Sequence, residues 1–361
     1  MRAQLESFAG NHAQALDYWD SNYRRPSDDA VETGPARGVA PEIKAANAIA
    51  HILERSSDHQ MIMVNERHHV SRDRLLTLSL LRPLYRQGFR YLAVEAVWPG
   101  DDINARGYPT KNSGYYVRDV VFAEMLRHAL ALGYEIVGYE IRGSQKNTAD
   151  SRSAQARRDY WQARNLLDGT LSKDPDAKVL VHCGWAHLQE QPTSSWEPMA
   201  HFVREMAGID PLTVDQTLLG ERSEPDFEHV LRVEAERQGL AGANPVVLLS
   251  RGGVPMQIGA GIDLRVLSPR TRFVNGRPGW MNMSGRRRAV TVAVPECRKT
   301  ACIIEARNAE RADEIAYDRM EAVRTDSVVL YLPSEAAIDL LLFDLEGNVI
   351  GRRPPVQGRS S

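Results

Sequence analysis

Met-Ile-Met-Val-Asn-Glu-Arg-His-His, residues 61–69, is the stretch whose reading decides the fold. Four apolar residues stop abruptly at a polar group, a carboxylate, a cation and two imidazoles. A short apolar run bounded in this way predicts a buried strand with its charged cluster at the carboxyl end. The pattern recurs. Tyr91-Leu92-Ala93-Val94 ends in Glu95, Ile136-Val137-Gly138-Tyr139 ends in Glu140, and Val179-Leu180-Val181 leads through His182 to His187. Parallel strands bring their carboxyl ends to one edge, which is where α/β proteins hold ligands. Four strands therefore predict one rim carrying acid and imidazole groups, and that rim is the expected active site.

Outward from these strands, the connecting segments carry helical periodicity. Residues 41–55 predict a helix with Ile43, Ala46, Ile49 and Leu53 on one stripe. Residues 71–87 predict another, closed by Gly88. A third over 114–132 aligns Val117, Val121, Met125, Ala129 and Leu132, and a fourth spans 151–169. His201, Phe202 and Met206 belong to a fifth helix, residues 212–214 form a fifth strand, and 227–238 form a further helix. Strand and helix alternate, which favours a mostly parallel sheet flanked by helices. The connection 96–113 is long and rich in Gly, Pro, Asp and Asn, and it leaves the same rim.

Beyond this the texture changes. Residues 246–249, 264–267, 289–294, 302–305, 327–332 and 338–343 are short β-type runs divided by Gly, Pro and Asn turns. The expected organisation is an α/β chain with four parts. An N-terminal helix and arm, with aromatic Tyr18, Trp19 and Tyr23, covers 1–40, and a catalytic-type α/β unit covers 41–267. A smaller β-rich C-terminal unit covers 268–351, and 352–361 reads as a disordered tail.

At 361 residues the chain is long enough for an α/β core and a second unit. Its net charge of −2 gives no electrostatic case for nucleic acid or an anionic membrane as partner. No apolar run approaches the roughly 18–20 residues of a membrane span, and residues 1–10 lack the apolar core of a signal peptide. The expectation is a soluble protein, cytoplasmic as given and exported if a leader has been removed, acting on a small molecule or peptide. The sequence carries no signal for an oligomeric state. Three cysteines are too few for a disulfide framework. Cys297 and Cys302 read as two small buried thiols, with a local disulfide as the alternative in an exported protein. Cys183 reads as strand-end packing.

The chemistry-bearing residues follow from the rim. Glu66 and His68 are two apart, which puts both side chains on one side of an extended segment, as an acid/base pair or half of a metal site. Glu95 and Glu140 end apolar strands, where carboxylates either cap the next helix or pair with arginine. In Gly184-Trp185-Ala186-His187 the glycine permits a tight exit from the strand, aiming His187 over the rim. His182, still inside its strand, reads as a core or supporting histidine. Arg158, Gln162 and Asn165 recur on one helical face, either solvated or turned inward; turned inward, Arg158 pairs with a site carboxylate or stabilises an oxyanion. His69, Trp185 and Tyr115 stand beside the rim as substrate-facing or supporting groups. Asp263 reads as a turn carboxylate and Arg286-Arg287-Arg288 as a solvated turn.

Taken in order, Asn65-Glu66-Arg67-His68, Glu95, Arg158-Asp159 with Gln162-Ala163 and Asn165, and Gly184-Trp185-Ala186-His187 resemble the motifs of the erythromycin esterase/ChaN/Tiki superfamily, the haem-binding uptake and TraB-like group. The resemblance covers about residues 61–217. It implies esterases that open lactones with water activated on histidine, metal-dependent peptidases, or a haem-binding protein of iron uptake. It implies Glu66, His68, Glu95, Arg158 and His187 as site residues. In a metal-dependent form His68, Glu95 and His187 would hold a divalent ion such as Mn, Fe or Zn. Asn65 stands where the first motif usually has Gly, and Asn tolerates the left-handed backbone such a turn needs. The expected function is hydrolysis of an ester, lactone or amide bond. The alternatives are haem or iron binding between the rim histidines and Tyr115, Tyr116 and Trp185, or an inactive relative with a structural salt network.

Overall fold

The architecture rests on one eight-stranded mixed sheet. The computed structural model describes residues 1–22, 42–146, 152–258 and 261–354. Tyr23, Pro41, Ser151, the Gly259-Ala260 turn and the tail from 355 onward lie outside the described residues. The strands are β1 (Lys44–Asn47), β2 (Met61–Glu66), β3 (Phe89–Val94), β4 (Glu135–Gly138), β5 (Lys178–Gly184), β6 (Leu212–Asp215), β7 (Val246–Leu249) and β8 (Leu264–Leu267). Their order is β1-β7-β8-β6-β2-β5-β3-β4. The six strands from β8 to β4 run parallel, while β7 is antiparallel to both β8 and β1. This is the α/β class that the alternation predicted.

Every residue of β2 is buried, because both faces of the sheet are covered. Ile62 and Val64 pack under helices α3 (Ala48–Arg55) and α4 (Arg74–Arg86), and under α6 (Val120–Leu132), which follows the short α5 (Ile103–Arg106) of the long loop. Met61 and Met63 face the other way, toward α7 (Ala154–Gly169) and α8 (Met199–Ala207). A strand buried on both faces has to be apolar throughout, which explains why the run at 61–64 shows no alternation. The helices start where short polar side chains can satisfy free backbone N–H groups. Asp119 accepts from Val121 N and Phe122 N, and Ser153 accepts from Ala156 N. Helix α9 (Val230–Arg237) packs with Leu219, Leu248 and Leu267 at the β7–β8 side.

Several expectations need correction. The helix expected over 41–55 begins only at Ala48: Asn47 accepts from Ala50 N as its cap, and the residues before it form β1 along the edge of β7. Periodicity cannot see an edge strand, since its hydrogen bonds come from residues 200 positions away. The runs at 246–249 and 264–267, read as β-type within the 41–267 unit, are strands of the main sheet.

After Leu267 come β9 (Phe273–Val274), β10 (Arg277–Pro278), β11 (Arg288–Ala293), β12 (Ala301–Asn308), β13 (Asp318–Val323), β14 (Ser327–Leu332), β15 (Ile338–Phe343) and β16 (Val349–Arg353). They form antiparallel sheets ordered β13-β12-β15-β16, β11-β14 and β10-β9. Strands β13 and β16 were not read from the sequence, and β16 carries Arg352 and Arg353 out of the segment expected to be disordered. Cys297 and Cys302 are joined as a disulfide inside this unit's own core, not held as two thiols.

The β-rich unit is welded to the sheet's α4–α6 side. Met281, Met283, Ile315 and Tyr331 enter the same apolar cluster as Ile62 and Leu92. Arg287, expected on a solvated turn, is buried; it donates to Tyr317 O and to Glu124 Oε2 of α6, 2.7 Å away. The N-terminal helices α1 (Arg2–Phe8) and α2 (His12–Asp20) bridge both units: Ser7 Oγ lies 2.9 Å from Ser71 Oγ, and Asn11 donates to Glu321 Oε2 at 2.7 Å. Between them Gly10 takes φ +83°, where a Cβ would meet Arg319 O at 2.4 Å. No helix among the described residues is long and apolar enough to cross a membrane. Removing one partner of a buried ion pair strands the other, at about 3–5 kcal/mol. Arg287→Met is expected to lower stability by about that amount, measured by urea unfolding; a change below about 1 kcal/mol would show that the pair does not join the units.

Candidate active site

The parallel register of β2 and β5 sets Val64 beside His182 and Glu66 beside Gly184. Glu66 is buried, and three groups converge on its carboxylate. Arg74 contacts both oxygens, Nε to Oε2 at 2.6 Å and Nη2 to Oε1 at 3.0 Å. His68 Nδ1 meets Oε1 at 2.9 Å and His182 Nε2 meets Oε2 at 3.0 Å. Burial would raise the Glu66 pKa, but the Arg74 charge and the two imidazole contacts outweigh it and hold the carboxyl well below its ordinary range. Thr77 Oγ1 completes the set at His182 Nδ1, 2.9 Å away.

Glu66 thus orients His68 through Nδ1, leaving Nε2 toward the crevice, 4.0 Å from Glu95 Oε1. The ring lies flat on Tyr116, with centroids 3.9 Å apart. On the far side of Glu95 a second carboxylate–imidazole pair mirrors the first. His187 Nδ1 bonds Asp159 Oδ1, and its Nε2 lies 3.8 Å from the same Glu95 Oε1. Asp159 is fully buried and also accepts from Trp196 Nε1 and Met199 N. Two imidazole Nε2 atoms therefore face one carboxylate oxygen.

Arg158 completes this centre. From α7 it donates to Glu95 Oε1 at 2.6 Å, to both oxygens of Glu140, and to His187 Nε2 at 3.1 Å. The polar stripe of α7 faces inward: Gln162 reaches Glu140 Oε1, and Asn165 donates to Tyr139 O and Glu140 O. Glu95 Oε2 accepts from Gly184 N at 2.7 Å. Burial pushes the Glu95 pKa up, but His187, His68 and Arg158 outweigh it and bring it down to about 2. Burial likewise works against the protonated form of His187, and Glu95 and Asp159 reverse it, leaving the pKa raised. Arg158 donating to Nε2 requires that nitrogen unprotonated. Protonation at Nε2 is therefore incompatible with that contact, and Arg158 would have to release it.

Two local expectations need a different physical account. Gly184 has φ −85°, an ordinary extended value, and the positive φ of the turn falls on Trp185 at +42°. The glycine is needed for space: a Cβ there would lie 2.4 Å from His68 Cε1 and 3.0 Å from Glu95 Oε2. Asn65 lies within β2 and needs no left-handed backbone. Its amide donates to Trp185 O and Asp215 Oδ1, both at 2.6 Å, and its oxygen accepts from Gln216 N. Asn65 thus clamps the ends of β5 and β6 to β2.

Glu66, His68, Glu95, Glu140, Arg158, Gln162, His182 and His187 are brought together. His69, Trp185 and Tyr115 are not in this centre. His69 stacks on Trp19 at 4.3 Å with Trp185 behind it, and Tyr115 packs on Phe8. Burial and the nearby Arg67 bring the His69 pKa down to about 2, so it is neutral. Asp263 turns inward and accepts from Thr213 N and Oγ1. Cys183 is buried against Val64 O, its thiol pushed well up by burial and then by Glu95. Arg74 and Asp159 carry site geometry that the sequence did not assign, and Tyr116, read only as flanking the rim histidines in the haem alternative, stacks on His68. Asp159 was visible inside the Arg158-Asp159 pair, whereas nothing local distinguishes Arg74.

His68, Glu95 and His187 supply ordinary zinc-type donors, but the guanidinium of Arg158 already bonds Glu95 and His187 at the point where an ion would sit. Among the described residues no group of three His, Cys, Asp or Glu side chains is arranged to hold an ion. The donors as placed do not fit a metal.

No family model matches the sequence, and no curated protein does. Among solved structures the chain is similar to the type III effector HopBA1, at 15% identity, covering 52% of this chain and 91% of that one, with TM-score 0.32. It is also similar to RRSP, a MARTX toxin effector domain from Vibrio vulnificus CMCP6, at 16% identity over 55% of this chain and 42% of that one, TM-score 0.31. A third is the C-terminal region of Pasteurella multocida toxin, whose structure reveals a thiol-protease like catalytic triad, at 8% identity over 95% and 53% of the two chains, TM-score 0.33. The chain spans about half the length of the last two. Likeness at this level carries no chemistry across.

Gly184→Ala is expected to displace the His68 ring while leaving the helical content intact, seen as loss of the His68 imidazole's native NMR environment with unchanged circular dichroism. An unmoved ring would refute the spatial role. Glu95 titrates near 4.5 when unfolded and about 2 when folded, so its stabilisation is complete above pH 4.5 and is lost as pH falls toward 2. The stability gap between wild type and Glu95→Gln is expected to shrink over that window in urea titrations. A gap independent of pH would contradict the depressed value.

Proposed function

We propose that this chain is a hydrolase that opens an ester, lactone or amide bond with water activated on a rim histidine. The observation that carries this is the approach of His68 Nε2 and His187 Nε2 to the same oxygen of Glu95, within 4.0 Å and 3.8 Å, each ring held by its own carboxylate. The roles implied by the erythromycin esterase-type motifs then fall on Glu66, His68, Glu95, Arg158 and His187. His68 Nε2 has no hydrogen-bond partner among the described residues and is the base: Glu66 fixes its Nδ1–H, and Nε2 takes the proton of water as oxygen attacks the carbonyl carbon. Arg158 and protonated His187 face the oxyanion. His187 then passes its proton to the leaving oxygen or nitrogen, and Asp159 holds it in register.

Charge decides which protonation state serves. Arg158 is shared by Glu95 and Glu140, so the guanidinium alone leaves that cluster negative. An oxyanion is stabilised there only when His187 carries its proton, which its raised pKa favours. Activity is accordingly expected to fall as pH rises through that value.

The crevice at His68, lined by Glu66, Glu95, Tyr116 and Phe122, is too tight to bury a drug-sized ligand, whose sites span roughly 300–1,000 Å³. That favours a small substrate group or an extended peptide bond over a flat macrocycle, and nothing in the geometry favours the haem alternative. The Cys297–Cys302 disulfide favours an oxidising compartment, hence export, over the cytoplasm.

The test is a panel of ester, lactone and peptide substrates with and without chelator. His68→Ala and His187→Ala are each expected to lower kcat/KM by about 10²–10⁴ with folding retained. Activity is expected to survive chelator. Full activity in both variants would refute the site, and loss to chelator restored by a divalent ion would refute the metal-free step.

A further inference from the structure

The rim has a second half that the chemistry above does not use. A cavity of about 170 Å³ lies between α2 and the loops that follow β2, β6 and β8. Its walls include the apolar faces of Leu16, Val70, Phe273 and Trp280, and its wall toward the reacting centre is His69, backed by Trp19 and Trp185. Three arginines and three carboxylates also line it, and their pairings are unequal. Arg67 is committed to Asp73 through two 3.0 Å bonds and to Glu221 O at 2.7 Å. Arg222 reaches Asp20 at 2.6 Å. Glu221 is satisfied by Thr271 N at 2.9 Å and Thr271 Oγ1 at 2.7 Å.

Arg72 is the exception. Its side chain is 14% exposed, and its contacts are long, to Glu221 Oε2 at 3.4 Å and Thr271 Oγ1 at 3.5 Å. A guanidinium offers five donors in a planar fork suited to a carboxylate, so most of that capacity is unspent in a cavity walled by apolar side chains. His12 supplies an independent sign. It lines the same cavity, sits edge-on to Trp280 at 4.7 Å, and its Nε2 is buried with no hydrogen-bond partner among the described residues. A buried polar nitrogen normally has a partner, and a ligand in the cavity would provide one.

We propose that this cavity binds a small organic monocarboxylate with an aromatic or branched apolar body, its carboxylate on Arg72 and its body against Leu16, Phe273 and Trp280. A dianion such as phosphate is disfavoured, because one underused guanidinium faces it while Asp17 and Glu221 stand nearby. The site is independent of the proposed hydrolysis, since none of His68, Glu95, Arg158 or His187 lines it.

Isothermal titration of the full chain with benzoate, 4-methylpentanoate and inorganic phosphate tests this. Saturable binding of at least one of the two carboxylates, with phosphate at least about tenfold weaker, is expected. Arg72→Met is expected to weaken carboxylate binding at least about tenfold, the loss of a charge-assisted contact, with unchanged circular dichroism. Should that variant misfold, Leu16→Trp, which fills the cavity, is expected to abolish the binding. Absence of saturation for both carboxylates up to solubility, phosphate binding as tight as theirs, or carboxylate binding untouched by the folded variant would overturn the proposal.

Discussion

A carboxylate buried at the end of the central strand is the constraint on which the rest of this structure turns. Ionised Glu66 could not remain inside an apolar sheet unless its charge and lone pairs were met, and Arg74 meets them from the first turn of α4. That contact does more than neutralise. Arg74 also donates to His68 O and approaches Asp119 Oδ2 at 3.4 Å, while Asp119 caps α6 and accepts from Ser7 and Ser71. One ion pair therefore ties strand β2, the starts of two helices, the N-terminal arm and the turn that carries His68. A buried pair of this kind is weak evidence for net stability, since desolvation offsets much of its attraction. Its consequence is geometric: it leaves His68 one orientation, with Nε2 outward.

The second centre is built from the opposite face of the sheet. Glu95 and His187 are approached by α7, whereas Glu66 and His182 are approached by α4, and the two sets meet only past the strand ends. Gly184 is where they touch. Its missing side chain makes room for the His68 ring, its N–H holds Glu95, and the left-handed Trp185 turns the chain so that His187 points back. The resulting arrangement gathers four carboxylates, Glu66, Glu95, Glu140 and Asp159, and two guanidiniums, Arg74 and Arg158, around His68 and His187. His187, His68 and Arg158 keep Glu95 ionised, while Glu95 and Asp159 favour the proton on His187.

Much of this was legible in the sequence because strand burial and strand ends leave local marks. The apolar runs ending in Glu66, Glu95 and Glu140 needed only position, and period put Arg158, Gln162 and Asn165 on one face without deciding that it turns inward. What was not legible depends on partners remote in sequence. Strand β1 exists because β7 offers it an edge, and Arg287 is buried because Glu124 and Tyr317 O await it. Arg74 is an ordinary helix-start arginine until Glu66 is placed beside it. Gly184 and Asn65 show a subtler limit: the residues were noticed, but for backbone freedom, whereas one provides space and the other cross-strand hydrogen bonds. Cα-level pattern cannot distinguish a glycine that bends from a glycine that yields.

The division of the rim follows from strand order. Strand β2 lies between β5, β3 and β4 on one side and β6 and β8 on the other, with crossovers leaving in both directions, so its own exit loop must serve both. Glu66 and His68 turn toward the β5 side, where the carboxylates converge. Arg67, Arg72 and Asp73 turn toward the β6–β8 side, where the cavity opens. His69, buried and neutral, lines the cavity and is stacked against Trp19 with Trp185 beyond it. Because α2 supplies Trp19 to this stack and His12 and Leu16 to the cavity wall, the N-terminal helices belong to the site's architecture, although they come from the stretch of sequence with the weakest signals of structure.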